Sequence, residues 1–359
     1  MSRPARALVD AAALRHNFLQ VRKHAPRAKV MAVVKANAYG HGLSWVSRML
    51  GEADAFGVSS IDEGIQLRKA GVTQPVCLLE GFFTADELPQ IAEFQLSPTL
   101  HHDVQLKVLA QAKPGARLSV WVKIDTGMHR LGFAPEQLAD VLKQLRQCAV
   151  VGDIRVMSHL ATADVTADTT TKTQIDCFLA QAKGLGLETS LANSAGILAW
   201  PESHLDWVRP GIMLYGSSPV TGKSAAQLKL KPVMTLQTAL IAVQRRHKGE
   251  AIGYGGDWHC PEDMPVGVAA IGYGDGYPRH APPGTPVLVN GKRVPLIGRV
   301  SMDMTTLDLR TQAQARVGDP VVLWGEGLPV DEVAHSAGTI SYELLCHVAD
   351  RIPRVVINE

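Results

Sequence analysis

Phe56-Gly57-Val58-Ser59-Ser60-Ile61-Asp62-Glu63-Gly64-Ile65-Gln66-Leu67-Arg68-Lys69-Ala70-Gly71 holds a whole structural unit. A short apolar run predicts a strand, and a polar break follows it. Ile61, Ile65 and Leu67 then recur at helical spacing until Gly71 stops them. The same order repeats on both sides. Strands are predicted at Val30–Val34, Phe56–Ser59, Val76–Leu79, Ser97–Leu100, Ser119–Ile124, Ile154–Ser158, Thr189–Leu191 and Asp206–Val208. Helical stretches lie between them, such as Pro135–Gln147 with Leu138, Val141, Leu142 and Leu145 on one face. Strands alternating with helices imply a parallel sheet, and eight units suggest an α/β fold closed as a (β/α)8 barrel. A doubly wound sheet shares much of this pattern.

Beyond Leu230 the pattern changes. Met234–Val243, Val266–Ile271, Pro286–Val289, Val294–Ile297 and Pro320–Trp324 read as strands without long helices between them. Asn290-Gly291 between two of those runs marks a tight hairpin. Helical pieces are expected near Val330–Ala337 and Tyr342–Ala349. The chain therefore divides into a barrel over residues 1–230 and a mostly β C-terminal domain over residues 231–359.

Composition narrows the function classes. At 359 residues, about two domains are expected. Lys+Arg 36 against Asp+Glu 34 leaves a net charge of +2, so no nucleic acid or anionic membrane is expected as partner. Hydrophobic residues at 46% and charged residues at 19% suit a large buried core. The 5 cysteines are widely spaced without a Cys-x-x-Cys, which favours reduced thiols and a cytoplasmic location over a disulfide framework or zinc site. Asp10 and Arg15 interrupt any apolar signal segment near the N-terminus, and no apolar run is long enough to cross a bilayer.

In a barrel, chemistry collects where strands end. Lys35 follows Val30-Met31-Ala32-Val33-Val34 directly. An amine there loses part of its hydration, which suits Schiff-base chemistry, although a lone lysine more often only reaches the rim. Ser194 and the backbone of Gly211-Ile212 follow the seventh and eighth strands, where barrels commonly bind phosphate. A reactive lysine beside a phosphate cradle suggests pyridoxal 5′-phosphate (PLP).

These residues also carry a family resemblance. Val34-Lys35-Ala36-Asn37-Ala38-Tyr39-Gly40-His41-Gly42 resembles the PLP-attachment signature of alanine racemases. The likeness continues through Asp125-Thr126-Gly127-Met128-His129-Arg130-Leu131-Gly132, Trp207-Val208-Arg209-Pro210-Gly211-Ile212, Gly253-Tyr254-Gly255-Gly256, Gly272–Pro278 and Ser301-Met302-Asp303. It implies interconversion of L- and D-alanine by two bases, in a homodimer with composite active sites. Lys35 would attach PLP and act as base on one face. Tyr254 from a partner chain would act on the other. Tyr39, Ser194, Gly211, Ile212 and Tyr342 would hold the phosphate. Arg130 would pair with the substrate carboxylate, and the backbone of Met302 would line the substrate site. Arg209 would face the pyridine nitrogen, and its firmly held proton would keep that ring neutral, limiting transamination. Lys123 matches a position carbamylated in some members.

An ordinary phenol ionises near pH ~10, so a tyrosine base at neutrality must offset roughly 4 kcal/mol. His159 and Arg209 are the candidate cations for this, with His159 also expected beside the cofactor. No metal is expected, since His101-His102 lacks ligand spacing. Gly272, Gly274 and Gly276 do not make Gly-x-Gly-x-x-Gly. Three rivals remain: a broader-specificity amino-acid racemase, a PLP-dependent decarboxylase, and a non-catalytic PLP-binding protein. The long second domain bearing Tyr254 and Met302 speaks against the last.

Overall fold

The computed structural model describes residues 3–112 and 117–359. Eight parallel strands close a barrel: Lys29–Val33, Ala55–Val58, Val76–Leu78, Leu96–Leu100, Leu118–Lys123, Val151–Met157, Thr189–Ser190 and Trp207–Val208. The last pairs with the first through Lys29↔Trp207 and Val30↔Val208, so closure is complete. All eight predicted strands are present, with shifted ends, and the doubly wound alternative is excluded. Met31, Ala55, Cys77, Trp121, Met157 and Trp207 come from different strands and form their own buried cluster, an interior layer of side chains. Neighbours of opposite parity, such as Val30 and Ala32, join the larger core beneath the helices.

The second sheet has eight strands ordered Met264–Ala269, Thr305–Asp308, Lys292–Ile297, Pro286–Val289, Pro320–Trp324, Met234–Arg246, Arg6–Asp10 and Arg354–Ile357. Met264–Ala269 also pairs with the far half of the long strand Met234–Arg246, which closes the first six into a ring. Val289 pairs with Lys292 across Asn290-Gly291, both residues at positive φ, as the hairpin reading requires.

Several strands are additions to the sequence reading: Thr305–Asp308, Arg354–Ile357, and the small hairpin Ala251–Ile252 with Trp258–His259. So is Arg6–Asp10, which lies within the segment assigned to the barrel. It pairs instead in the second sheet, antiparallel to Met234–Arg246 and parallel to Arg354–Ile357. Its partners are remote in sequence, so no local periodicity announces the pairing.

One ion-pair cluster ties the N-terminal segment into the second domain, and a helix contact fixes that domain on the barrel. Asp275 is fully buried and ion-pairs with Arg3 at 2.9 Å and Arg351 at 2.8 Å. Helix Ser341–Cys346 lies on the turn after the first barrel strand. A Cβ at Gly40 would stand 2.1 Å from the Leu345 carbonyl, so only glycine permits that approach.

Candidate active site

The first barrel strand ends in an unusual turn. Lys35–Tyr39 is helical in hydrogen bonding, yet Ala36, Asn37, Ala38 and Tyr39 have φ of 53°, 54°, 54° and 51°. This is a left-handed turn built from L-residues. At about 1–2 kcal/mol for each residue it stores several kcal/mol of strain, which surrounding contacts must offset. Asn37 helps, with its side-chain oxygen accepting the Leu43 N–H at 2.8 Å.

The turn opens on a cavity of about 940 Å³ at the C-terminal mouth of the barrel. Lys35, Tyr39, Arg130, His159, Ser194, Arg209, Gly211, Ile212 and Tyr342 all line it, and so does Lys123. The barrel therefore gathers into one space residues more than 300 positions apart in the chain. Tyr254 and Met302 are not among its walls.

One side of the cavity is cationic. Arg209 is buried at 5% exposure, and its guanidinium donates to Ser190 Oγ and the Ser158 carbonyl, each at 2.5 Å. Burial lowers its pKa to about 10, below the ordinary guanidinium range, and it still stays charged at neutral pH. Lys123 is lowered to about 8, by burial first and then by Arg209, Arg130 and Lys35. Neither Lys123 nor Arg209 has a carboxylate partner among the described residues. Arg130 is exposed at the rim. Its loop is organised by Asp125 Oδ1, which accepts the N–H groups of Gly127, Met128 and His129, each at 3.0 Å.

His159 is corrected by its surroundings. Burial, followed by Arg209 and Lys123, holds its imidazole well below the ordinary value. It is neutral at pH 7, and its Nδ1 lies 3.4 Å from the Arg209 guanidinium. Of the two candidate cations, Arg209 is the one that keeps its charge at neutral pH.

Another part of the lining is a cradle of hydroxyl and backbone groups. Ser194 Oγ accepts the Gly211 N–H at 2.8 Å and the Met213 N–H at 3.3 Å, so its own proton is free to donate outward. A Cβ at Gly211 would stand 2.5 Å from the Tyr39 hydroxyl, so the absent side chain is what seats that phenol. Tyr39 stacks on Tyr215 with centroids 4.7 Å apart, and Tyr342 lies 6.0 Å away. Burial keeps the Tyr39 and Tyr342 phenols protonated well past neutrality, as donors. Unpartnered cations beside neutral donors fit a ligand with phosphate and carboxylate groups, as PLP with an amino acid would present.

Tyr254 is 68% exposed, in the tip of the hairpin Ala251–Ile252 and Trp258–His259. Met302 is 53% exposed, on a loop held against Gly272–Gly274 by backbone hydrogen bonds from Tyr273 to Ser301 and from Gly274 to Met302. The glycines dismissed as a nucleotide loop are therefore close-approach residues, since a Cβ at Gly272 would meet the Ser301 carbonyl at 2.1 Å. Both exposed side chains lie outside their own barrel's cavity. Sequence reading missed Glu63, whose carboxylate accepts the Ala36 N–H, because only the folded barrel brings the two together.

A barrel whose mouth gathers an amine and unpartnered cations around an oxyanion cradle, with a β domain packed over it, defines a class of enzymes acting on small anionic amines. Within it, models of the alanine racemase N-terminal and C-terminal domains match residues 9–219 and 233–356. Alanine racemase from Nitrosococcus oceani is 54% identical over 98% of this chain and 98% of its own. That from Vibrio cholerae is 52% identical over 97% of each. The crystal structure of biosynthetic alanine racemase from Pseudomonas aeruginosa superposes with a TM-score of 0.97, at 45% identity over 99% of both chains. The chain belongs to the alanine racemase family, and its activity is the isomerisation of L-alanine to D-alanine and back.

Proposed function

We propose that this racemisation uses PLP held at the barrel mouth and two bases from different subunits of a cytoplasmic homodimer. The observation that carries the reading is that Lys35, Lys123, Arg130 and Arg209 line the same cavity as the cradle of Tyr39, Ser194 and Gly211. PLP, when bound, supplies the electron-withdrawing ring that makes the alanine Cα–H acidic. Lys35 attaches the cofactor and holds or returns the proton on one face of Cα. Arg130 grips the substrate carboxylate with its planar fork. The hydroxyls of Ser194, Tyr39 and Tyr342 and the Ile212 N–H would hold the phosphate against the backbone of Gly211, whose own N–H is held by Ser194 Oγ. Arg209 carries a proton it does not release at neutral pH, and facing the ring nitrogen it would donate to it and leave it unprotonated. His159, neutral, stands beside Arg209 in the same cavity and would border the cofactor. Tyr254 of the partner subunit moves the proton on the opposite face, and the backbone of Met302 closes the substrate side. The exposure of Tyr254 and Met302, away from their own cavity, supports this composite arrangement.

Borohydride reduction of the PLP-loaded protein followed by peptide mapping should place the phosphopyridoxyl group on Lys35, while polarimetry shows L-alanine losing rotation. A label on Lys123 or another lysine would overturn the assignment of Lys35.

A further inference from the structure

The turn that carries Lys35 depends on a partner outside itself. Within it, the Ala38 N–H donates to the Val34 carbonyl at 2.8 Å and the Gly40 N–H to the Ala36 carbonyl at 3.0 Å. The Ala36 N–H, at the head of the turn, must be satisfied from elsewhere. It donates to Glu63 Oε1 at 2.7 Å. The second oxygen of the same carboxylate accepts the Ser59 N–H at 2.9 Å and the Ser59 hydroxyl at 3.2 Å. Ser59 directly follows the strand Ala55–Val58, so one side chain ties together the ends of the first two barrel strands.

Glu63 does this in place of the usual service to its own helix. Ser60 caps Ile61–Lys69 and accepts the Glu63 N–H at 3.4 Å. A glutamate in that position ordinarily reciprocates by accepting the N–H of the cap residue. Here the carboxylate reaches past Ser60 to Ser59 and Ala36. With three donors on two oxygens it forms a charge-assisted, directional clamp. The peptide plane it grips is the one immediately after the Lys35 Cα.

We infer that Glu63 is a positioning residue for Lys35: its grip on the Lys35–Ala36 peptide holds the left-handed turn and so sets where the Lys35 amine stands in the barrel mouth. This rests on the reading of Lys35 as the reactive amine. Glutamine at position 63 keeps the size but offers one oxygen, so its amide N–H₂ must face the N–H of either Ala36 or Ser59. A turn released in this way displaces the amine, an error that reaction rate feels far more than substrate affinity, because Arg130 sits on a different loop.

The experiment compares Glu63→Gln with Glu63→Gln carrying Ala36→Gly, both loaded with PLP. Glu63→Gln should lower kcat for alanine by about tenfold or more and leave KM within about threefold. The visible circular dichroism, which reports the orientation of the chromophore on Lys35, should change with it. Glycine adopts positive φ without steric penalty. Ala36→Gly should therefore return at least about threefold of the lost kcat and move the dichroism towards wild type. A double variant that stays as slow, or as poorly folded, as Glu63→Gln overturns the inference. So does a Glu63→Gln protein with wild-type kcat and dichroism. Borohydride mapping of the wild type separates the two readings. Label away from Lys35 refutes its role, whereas label on Lys35 with an indifferent Glu63 refutes only the positioning.

Discussion

His41, two residues past Tyr39, shows how burial of one side chain reaches into stability. Its ring lies 4.7 Å from that of Tyr215, Nδ1 stands 2.8 Å from the Tyr39 carbonyl, and Nε2 has no hydrogen-bond partner among the described residues. Burial lowers its pKa to about 4, with the Arg354 charge acting in the same direction. An unfolded chain takes up this proton below pH ~6.5, but the folded chain refuses it until about pH 4. Stability contributed by the neutral ring is thus complete above pH ~6.5 and is lost as pH falls through that window. The loss amounts to about 2–3 kcal/mol by pH ~4.5. Denaturant unfolding at pH 7 and 4.5 should show that much less acid destabilisation in His41→Gln than in wild type. Equal losses in both proteins would mean that His41 is not held neutral by the fold.

At the scale of elements, two glycines with the same backbone sign separate local from tertiary requirements. Gly291 has φ 75° in the two-residue hairpin loop, and a Cβ there meets nothing within 4 Å. Gly291→Ala should therefore cost only the left-handed penalty, about 1–2 kcal/mol. Gly40 has φ 78°, but its Cβ would strike the Leu345 carbonyl at 2.1 Å. Gly40→Ala should push helix Ser341–Cys346 away from the Lys35 turn and cost about 3 kcal/mol or more. It should also weaken PLP retention, since Tyr342 rides on that helix. Thermal unfolding and PLP dissociation measured on both variants test the contrast. Similar losses in the two would show that the helix contact contributes nothing beyond the turn.

At the scale of the whole molecule, the cavity of one chain is lined by Lys35, while Tyr254 is exposed and lies outside it. Suppose Lys35→Ala and Tyr254→Phe proteins, each nearly inactive, exchange subunits. In the mixed dimer the barrel of the Tyr254→Phe chain keeps Lys35 and receives an intact Tyr254 from the Lys35→Ala chain. One site is then complete and the other lacks both bases, so activity should return, with at most one working site in each mixed dimer. Verified mixed dimers that bind PLP and remain inactive would refute the composite site.

Local signals determined much of this protein from sequence alone. The alternation of apolar runs with helical spacing placed all eight barrel strands, and Asn290-Gly291 placed its hairpin, because periodicity and turn chemistry act between near neighbours. Lys35, Ser194 and Gly211 were legible as strand-end residues once a barrel was inferred, and Arg130 through the motif that carries the family resemblance. Other features arise only when distant segments meet. Arg6–Asp10 finds its sheet among strands more than 200 residues away. Ala36-Asn37-Ala38-Tyr39 has no left-handed signature beyond its asparagine, and its contacts, Glu63 at the Ala36 N–H and the Leu345 carbonyl against Gly40, come from remote segments. The neutral state of His159 and the lowered Lys123 come from burial beside Arg209, since desolvation and charge coupling belong to the folded interior and to no stretch of chain.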